Sequence, residues 1–163
     1  MRLVRALLKL LLAFTLITVV LSIVSSIAAA VAKTRLVDRA EPDDDEIDLV
    51  SIFEGRRFRS SSTSFRGGRV VNWQSGTDID LRGVRLDPAG AQLEVWDIFG
   101  GLRIRVPEDW RVRMHGIAIF GGAGSAARAP DEAGDQPVVD VRYRAVFGGL
   151  GIVPEPDDEV LAV

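Results

Sequence analysis

The chain has 163 residues, a formal net charge of −3, one histidine and no cysteine. The length fits one domain with an appendage. The absence of cysteine excludes a disulfide framework, thiol catalysis and Cys-ligated zinc, and the acidic balance argues against nucleic-acid binding.

Residues 1–9 form a basic start with Arg2, Arg5 and Lys9. Residues 10–32 contain no charge, no glycine and no proline. At about 1.5 Å per residue, a helix of this length crosses a hydrocarbon core of about 30 Å. Its Thr15, Thr18, Ser22, Ser25 and Ser26 are tolerable there if their hydroxyls bond back to helix carbonyls. A cleaved signal peptide is the competing reading, with Ala30-Val31-Ala32 resembling a cleavage site. The apolar run exceeds the roughly 7–15 residues of an ordinary signal peptide, which favours a membrane anchor. Basic residues on its two sides nearly balance, with the bias toward an inside N-terminus and an outside domain. The expected location is the cell membrane, crossed once.

Residues 33–46 read as a solvated linker, with Pro42 and the run Asp43-Asp44-Asp45-Glu46. That run lacks the glycine and the ligand spacing of a calcium-binding loop. Residues 47–153 change to period-two alternation: Leu102, Ile104 and Val106 with Arg103 and Arg105, then Val139, Val141, Tyr143 and Ala145 with Asp140, Arg142 and Arg144. This is the pattern of half-buried strands. Residues 154–163 read as an acidic tail that caps one end.

One corner motif recurs: Phe99-Gly100-Gly101, Phe120-Gly121-Gly122 and Phe147-Gly148-Gly149. Phe65-Arg66-Gly67-Gly68 is a looser copy and Ile52-Phe53-Glu54-Gly55 a degenerate one, with an unmarked turn near Ile79 to Leu86. Ala123 to Pro137 reads as an inserted loop. A recurring corner predicts an all-β, solenoid-like domain in which each corner sits above the last, with glycine supplying positive φ. A sandwich with Gly-Gly hairpins is the alternative.

Thr77-Asp78-Ile79-Asp80-Leu81 followed by Leu93-Glu94-Val95-Trp96-Asp97-Ile98-Phe99-Gly100-Gly101-Leu102-Arg103-Ile104-Arg105-Val106-Pro107, then a second Gly-Gly corner at Gly121-Gly122, forms an ordered set. It resembles the C-terminal domain of LiaF-type cell-wall-stress proteins, related to the domain that follows the PspC module. The resemblance covers about residues 47–152. It implies a single-stranded, right-handed β-helix beside membrane segments and a role in envelope-stress signalling, with a membrane histidine kinase or another envelope protein as partner. That family carries several transmembrane helices, whereas one is expected here.

No catalytic constellation is visible, so the expectation is a non-enzymatic module without cofactor or metal. His115 has no second histidine or activated nucleophile beside it. Asp78 and Asp80 share a strand face but lack further ligands for a hard cation. Trp73, Trp96 and Trp110 are read as packing residues. The candidate binding set is Arg103, Arg105, Arg111, Arg113, Arg142 and Arg144, read as a basic stripe for anionic groups against a solvated outer face. The functional expectation is a membrane-anchored interaction or regulatory module in envelope stress. The alternatives are a self-associating scaffold and a secreted or anchored binder of anionic lipid or wall polymer.

Overall fold

Helix α1 spans Arg2–Arg35 in a computed structural model that describes residues 2–36, 38–130 and 136–156. Among the described residues it is the one helix long and apolar enough to cross a membrane, with a mean hydropathy of 2.6 in its span. The hydroxyls of Thr15 and Ser26 donate to the carbonyls of Leu11 and Ser22, at 2.9 and 2.8 Å, as apolar surroundings require. The chain divides into two units, residues 1–36 and 37–163.

Among its described residues the second unit contains ten strands: β1 (Glu46–Ile52), β2 (Gly55–Arg59), β3 (Gly67–Trp73), β4 (Gly76–Asp80), β5 (Ala91–Ile98), β6 (Gly101–Val106), β7 (Arg111–Ile119), β8 (Gly122–Ser125), β9 (Val138–Val146) and β10 (Gly149–Pro154). They form two five-stranded sheets, β1-β3-β5-β9-β7 and β2-β4-β6-β10-β8, and every pair is parallel. Consecutive strands alternate between the sheets, so each odd strand, a corner and the next even strand make one rung. The hairpins of the sandwich alternative are absent among the described residues. The segment expected as a loop from Ala123 begins instead as β8, and the loop proper starts at Ala126.

The rungs do not stack in chain order. The last rung, β9–β10, lies between the third, β5–β6, and the fourth, β7–β8. The expectation of each corner above the last is therefore corrected. The segment 107–110 skips one rung position, and β9–β10 fills it.

Alternation sends Leu49, Val70 and Val95 of one sheet toward Phe58, Ile79, Ile104 and Ile152 of the other, all buried in one core. The end of the core opposite the Phe-Gly corners is closed by Phe65, Leu81, Val84 and Trp110, with the Phe65 and Trp110 rings 6.3 Å apart. Phe65 is thus a core residue and not a fourth copy of the corner. Its following Gly67 and Gly68 do have positive φ, +112° and +128°.

Arg82 is buried beside Asp80, with paired hydrogen bonds of 2.9 and 2.8 Å. It also donates to the Pro156 carbonyl at 3.0 Å, and the Glu155 N–H donates to the Val106 carbonyl. The described part of the acidic tail therefore runs against β6 in the middle of the stack. Asp157 to Val163 of the expected cap lie outside the described residues.

Candidate interaction surface

The corner has the same build in every rung. Phe53-Glu54, Gln74-Ser75, Phe99-Gly100, Phe147-Gly148 and Phe120-Gly121 each join a strand of the first sheet to one of the second. The first residue is the one with positive φ: 57° at Phe53, 47° at Gln74, 53° at Phe99, 52° at Phe147 and 53° at Phe120. The expectation that Gly100 and Gly121 supply the left-handed conformation is corrected. Those glycines answer a steric demand. A Cβ on Gly100 would lie 2.4 Å from Asn72 Nδ2, and one on Gly121 would lie 2.0 Å from the Gly148 carbonyl oxygen.

The third residue of each corner is always glycine, and a Cβ on Gly55, Gly76, Gly101 or Gly122 would meet nothing within 4 Å. Gly55, Gly76, Gly101 and Gly149 leave a shallow trench whose lining includes Arg57 and Arg103. Along the corners the rings of Phe99, Phe147 and Phe120 stack with centroids 4.9 Å apart and planes within 13°. That spacing is the interstrand distance of about 4.8 Å, so the ladder of strands imposes the ladder of rings. Phe53, Phe99 and Phe147 are about half exposed, while the terminal Phe120 is 78% exposed. Ile117, on the last strand β7, is 66% exposed, and Ile119 is exposed beside it.

Beneath the corners runs a buried polar row. Ser51, Asn72 and Asp97 occupy matching positions in β1, β3 and β5, followed by Ala145 and Ala118. Asn72 Nδ2 donates to Asp97 Oδ1 at 2.6 Å and to the Ser75 carbonyl at 3.0 Å, and Thr77 Oγ1 donates to Asn72 Oδ1 at 2.6 Å. Asp97 Oδ2 has no partner among the described residues, since the nearby Gly149 N–H is turned to the Gly100 carbonyl at 3.0 Å. Burial pushes the Asp97 carboxyl above its ordinary 3.8, and the Asn72 hydrogen bond and the nearby Gly149 N–H oppose this only in part. The folded state therefore holds this proton more tightly than the unfolded one. Its stabilising effect is complete below about pH 3.8 and is lost as pH rises through the folded value. Asp97→Asn should make the domain more stable than the parent at pH 7.5 and equal to it near pH 3. Urea midpoints at both pH values check this, and a variant weaker at pH 7.5 would show that the charge is needed.

The arginine set does not form one stripe. Arg103 and Arg105 lie on β6 in the second sheet, and Arg111, Arg113, Arg142 and Arg144 lie on β7 and β9 in the first. Arg105 pairs with Asp78 at 2.5 Å, Arg111 donates to Gln136 at 2.7 Å, and Arg144 pairs with Glu94 at 3.1 Å while lying 4.4 Å over the Trp96 ring. Across the first sheet Asp48, Arg69, Glu94, Arg142 and His115 occupy one row, and charges alternate over its first four members. Arg103, Arg113 and Arg142 have no ion pair among the described residues.

Asp78 and Asp80 are each taken up by an arginine, and no group of metal-ligating side chains occurs among the described residues. The three tryptophans have different surroundings: Trp110 is buried, Trp73 half-buried and Trp96 partly covered by Arg144. Sequence reasoning missed Asp97, though its parity with Leu93 and Val95 placed it on the inner face. It also missed the exposed apolar end of β7. Comparison with protein-family models, curated proteins and solved structures finds no match to this chain.

Proposed function

We propose that this chain is a membrane-anchored, non-enzymatic interaction module that docks an envelope protein through its aromatic corner and the exposed end at β7. The strand-rich unit is a short right-handed β-solenoid in this reading. Its support is the all-parallel pairing with each return through the opposite sheet, since parallel crossovers are right-handed almost without exception. The observation that carries the docking role is the row of half-exposed phenylalanines ending in Phe120, with Ile117 and Ile119 beside it. Contiguous exposed apolar surface on a small domain marks an interaction site. The resemblance to LiaF-type domains supplies the context, control of envelope-stress signalling through a membrane kinase or a related partner.

The test uses a cell-wall-stress reporter under a wall-active antibiotic. Deleting the gene for this chain should change reporter induction, and the parent chain should restore it from the membrane fraction. The double variant Ile117→Ser with Phe120→Ser should fold and sit in the membrane yet fail to restore the response. Full restoration by that variant would remove the docking surface, and an unchanged reporter in the deletion would remove the stress role.

A further inference from the structure

We propose that two copies of this chain pair edge to edge through β7, antiparallel, about a two-fold axis at Gly116. This rests on the docking reading above and names the partner of the open end as a second copy. β7 is the last strand of its sheet, with β9 on one side. Along it, backbone groups alternate in direction. The Ile119 carbonyl accepts from Phe147 N–H on the β9 side, whereas Val112 N–H points the other way and donates to the Arg128 carbonyl. By that alternation the N–H and C=O groups of Met114, Gly116 and Ala118 point away from β9. No strand covers them among the described residues, and Ile117 and Ile119 stand exposed next to them.

At the opposite edge of the first sheet, β1 is covered. The Asp48 carbonyl accepts from Arg39 N–H at 3.0 Å, and the Val50 carbonyl accepts from the Arg56 guanidinium at 3.2 Å. Val50 is only 6% exposed and Ile52 is buried, although both have outward parity on β1. A second copy arriving head to tail would therefore find no free β1 edge for β7 to pair with, and the open edge of β7 finds its match in itself.

Its free groups are self-complementary. Met114, Gly116 and Ala118 are centred on Gly116, so an antiparallel copy sets Met114 opposite Ala118 and Gly116 opposite Gly116. Each of these pairs exchanges two hydrogen bonds, which satisfies all six outward groups on each copy. The charges fit the same register. Arg113 falls opposite Ile119, and His115 opposite Ile117, so no like charges meet. Sliding one copy to place Met114 opposite Gly116 would set His115 on His115. Within each copy Asp140 is the register neighbour of Arg113 and lies 3.9 Å from His115 Nε2, which balances the positive half of the edge.

The experiment uses the full chain in nanodiscs, and the absence of native cysteine leaves only introduced thiols to react. Copies carrying His115→Cys are mixed with copies carrying Ile117→Cys under mild oxidation. The facing pair is a non-hydrogen-bonded one, with Cα atoms about 4.5 Å apart, inside the roughly 4.4–6.8 Å that a disulfide spans. The mixed disulfide should dominate, with little product from either variant alone. In sedimentation the parent should be a dimer. Ala118→Pro, which removes a donor that no strand of its own copy uses, should be a monomer with unchanged far-UV circular dichroism, and Ile117→Lys should act in the same direction if the proline variant does not fold. A monomeric parent, or strong cross-linking of His115→Cys alone, overturns the pairing. A monomeric parent that still needs Ile117 and Phe120 for the stress response overturns the pairing and leaves the docking reading intact. A dimer whose loss leaves the response unchanged overturns the docking reading and keeps the pairing.

Discussion

Gly148→Ala should destabilise the strand-rich unit by about 3 kcal/mol, the upper range for overpacking a close-packed site. The added Cβ would stand 2.2 Å from Asp97 Oδ2, 2.8 Å from its Cγ and 3.1 Å from the Gly100 carbonyl oxygen. None of these neighbours moves freely, because Asp97 is fully buried and held by Asn72. At roughly 4 °C per kcal/mol for a unit of this size, the melting temperature should fall by about 12 °C. Gly149→Ala, one residue on, meets only the Gly122 carbonyl oxygen at 4.0 Å and should stay within about 0.5 kcal/mol of the parent. Combining Gly148→Ala with Asp97→Ala should recover part of the loss, since the second change removes the obstacle. Equal melts for the parent and the Gly148 variant would mean that the corner opens easily and the steric account is wrong.

Phe65→Ala should cost about 3–5 kcal/mol, the range for deleting a buried aromatic ring. Phe65 is fully buried and stacks on Trp110, which is itself buried, and its backbone forms an isolated parallel bridge to Leu86. Removing the ring opens a cavity at the side of the core where the connections between rungs cross. Those connections are held by their own turns and by the Asp80–Arg82 pair, so they collapse poorly into the void. Phe65→Leu should lose much less, and Phe53→Ala, at a half-exposed corner, should lose little. Denaturant midpoints order the three variants, and a small effect of Phe65→Ala would show that the adjoining loops fill the space.

The strands and corners were legible because each uses a local code. Leu102, Ile104 and Val106 alternate with arginines in any half-buried strand, and Phe-Gly-Gly marks the end of three of them. The second rung was harder to see because Gln74-Ser75 turns the same corner without Phe or a central glycine. A left-handed first residue and a small second residue suffice there. Phe65-Arg66-Gly67-Gly68 misled for the opposite reason, since it has the letters of the corner and the environment of the core. The order of the rungs left no local trace. Every strand is parallel and similarly patterned, so β9 is as compatible in sequence with the end of the stack as with its middle. Arg82 was illegible as a buried group because, beyond its sequence neighbour Asp80, the Pro156 carbonyl it meets lies 74 residues along the chain. The same holds for the arginine set, which looks continuous along the chain but falls on two different sheets.

The placement of β9–β10 between the rungs β5–β6 and β7–β8 sets a timetable for folding. As the chain emerges from its N-terminus, the first three rungs can zip together in order, each docking on the one before. β7 and β8 emerge next but have no neighbour at their final positions until residues 138–154 arrive. During that interval both sheets carry unpaired edges, the condition in which chaperones or aggregation capture a nascent chain. The final step is then an insertion that fastens both sides at once, with β5 and β7 gripping β9 while β6 and β8 grip β10. The same arrangement makes the last-formed rung a latch, since peeling it away frees the fourth rung as well.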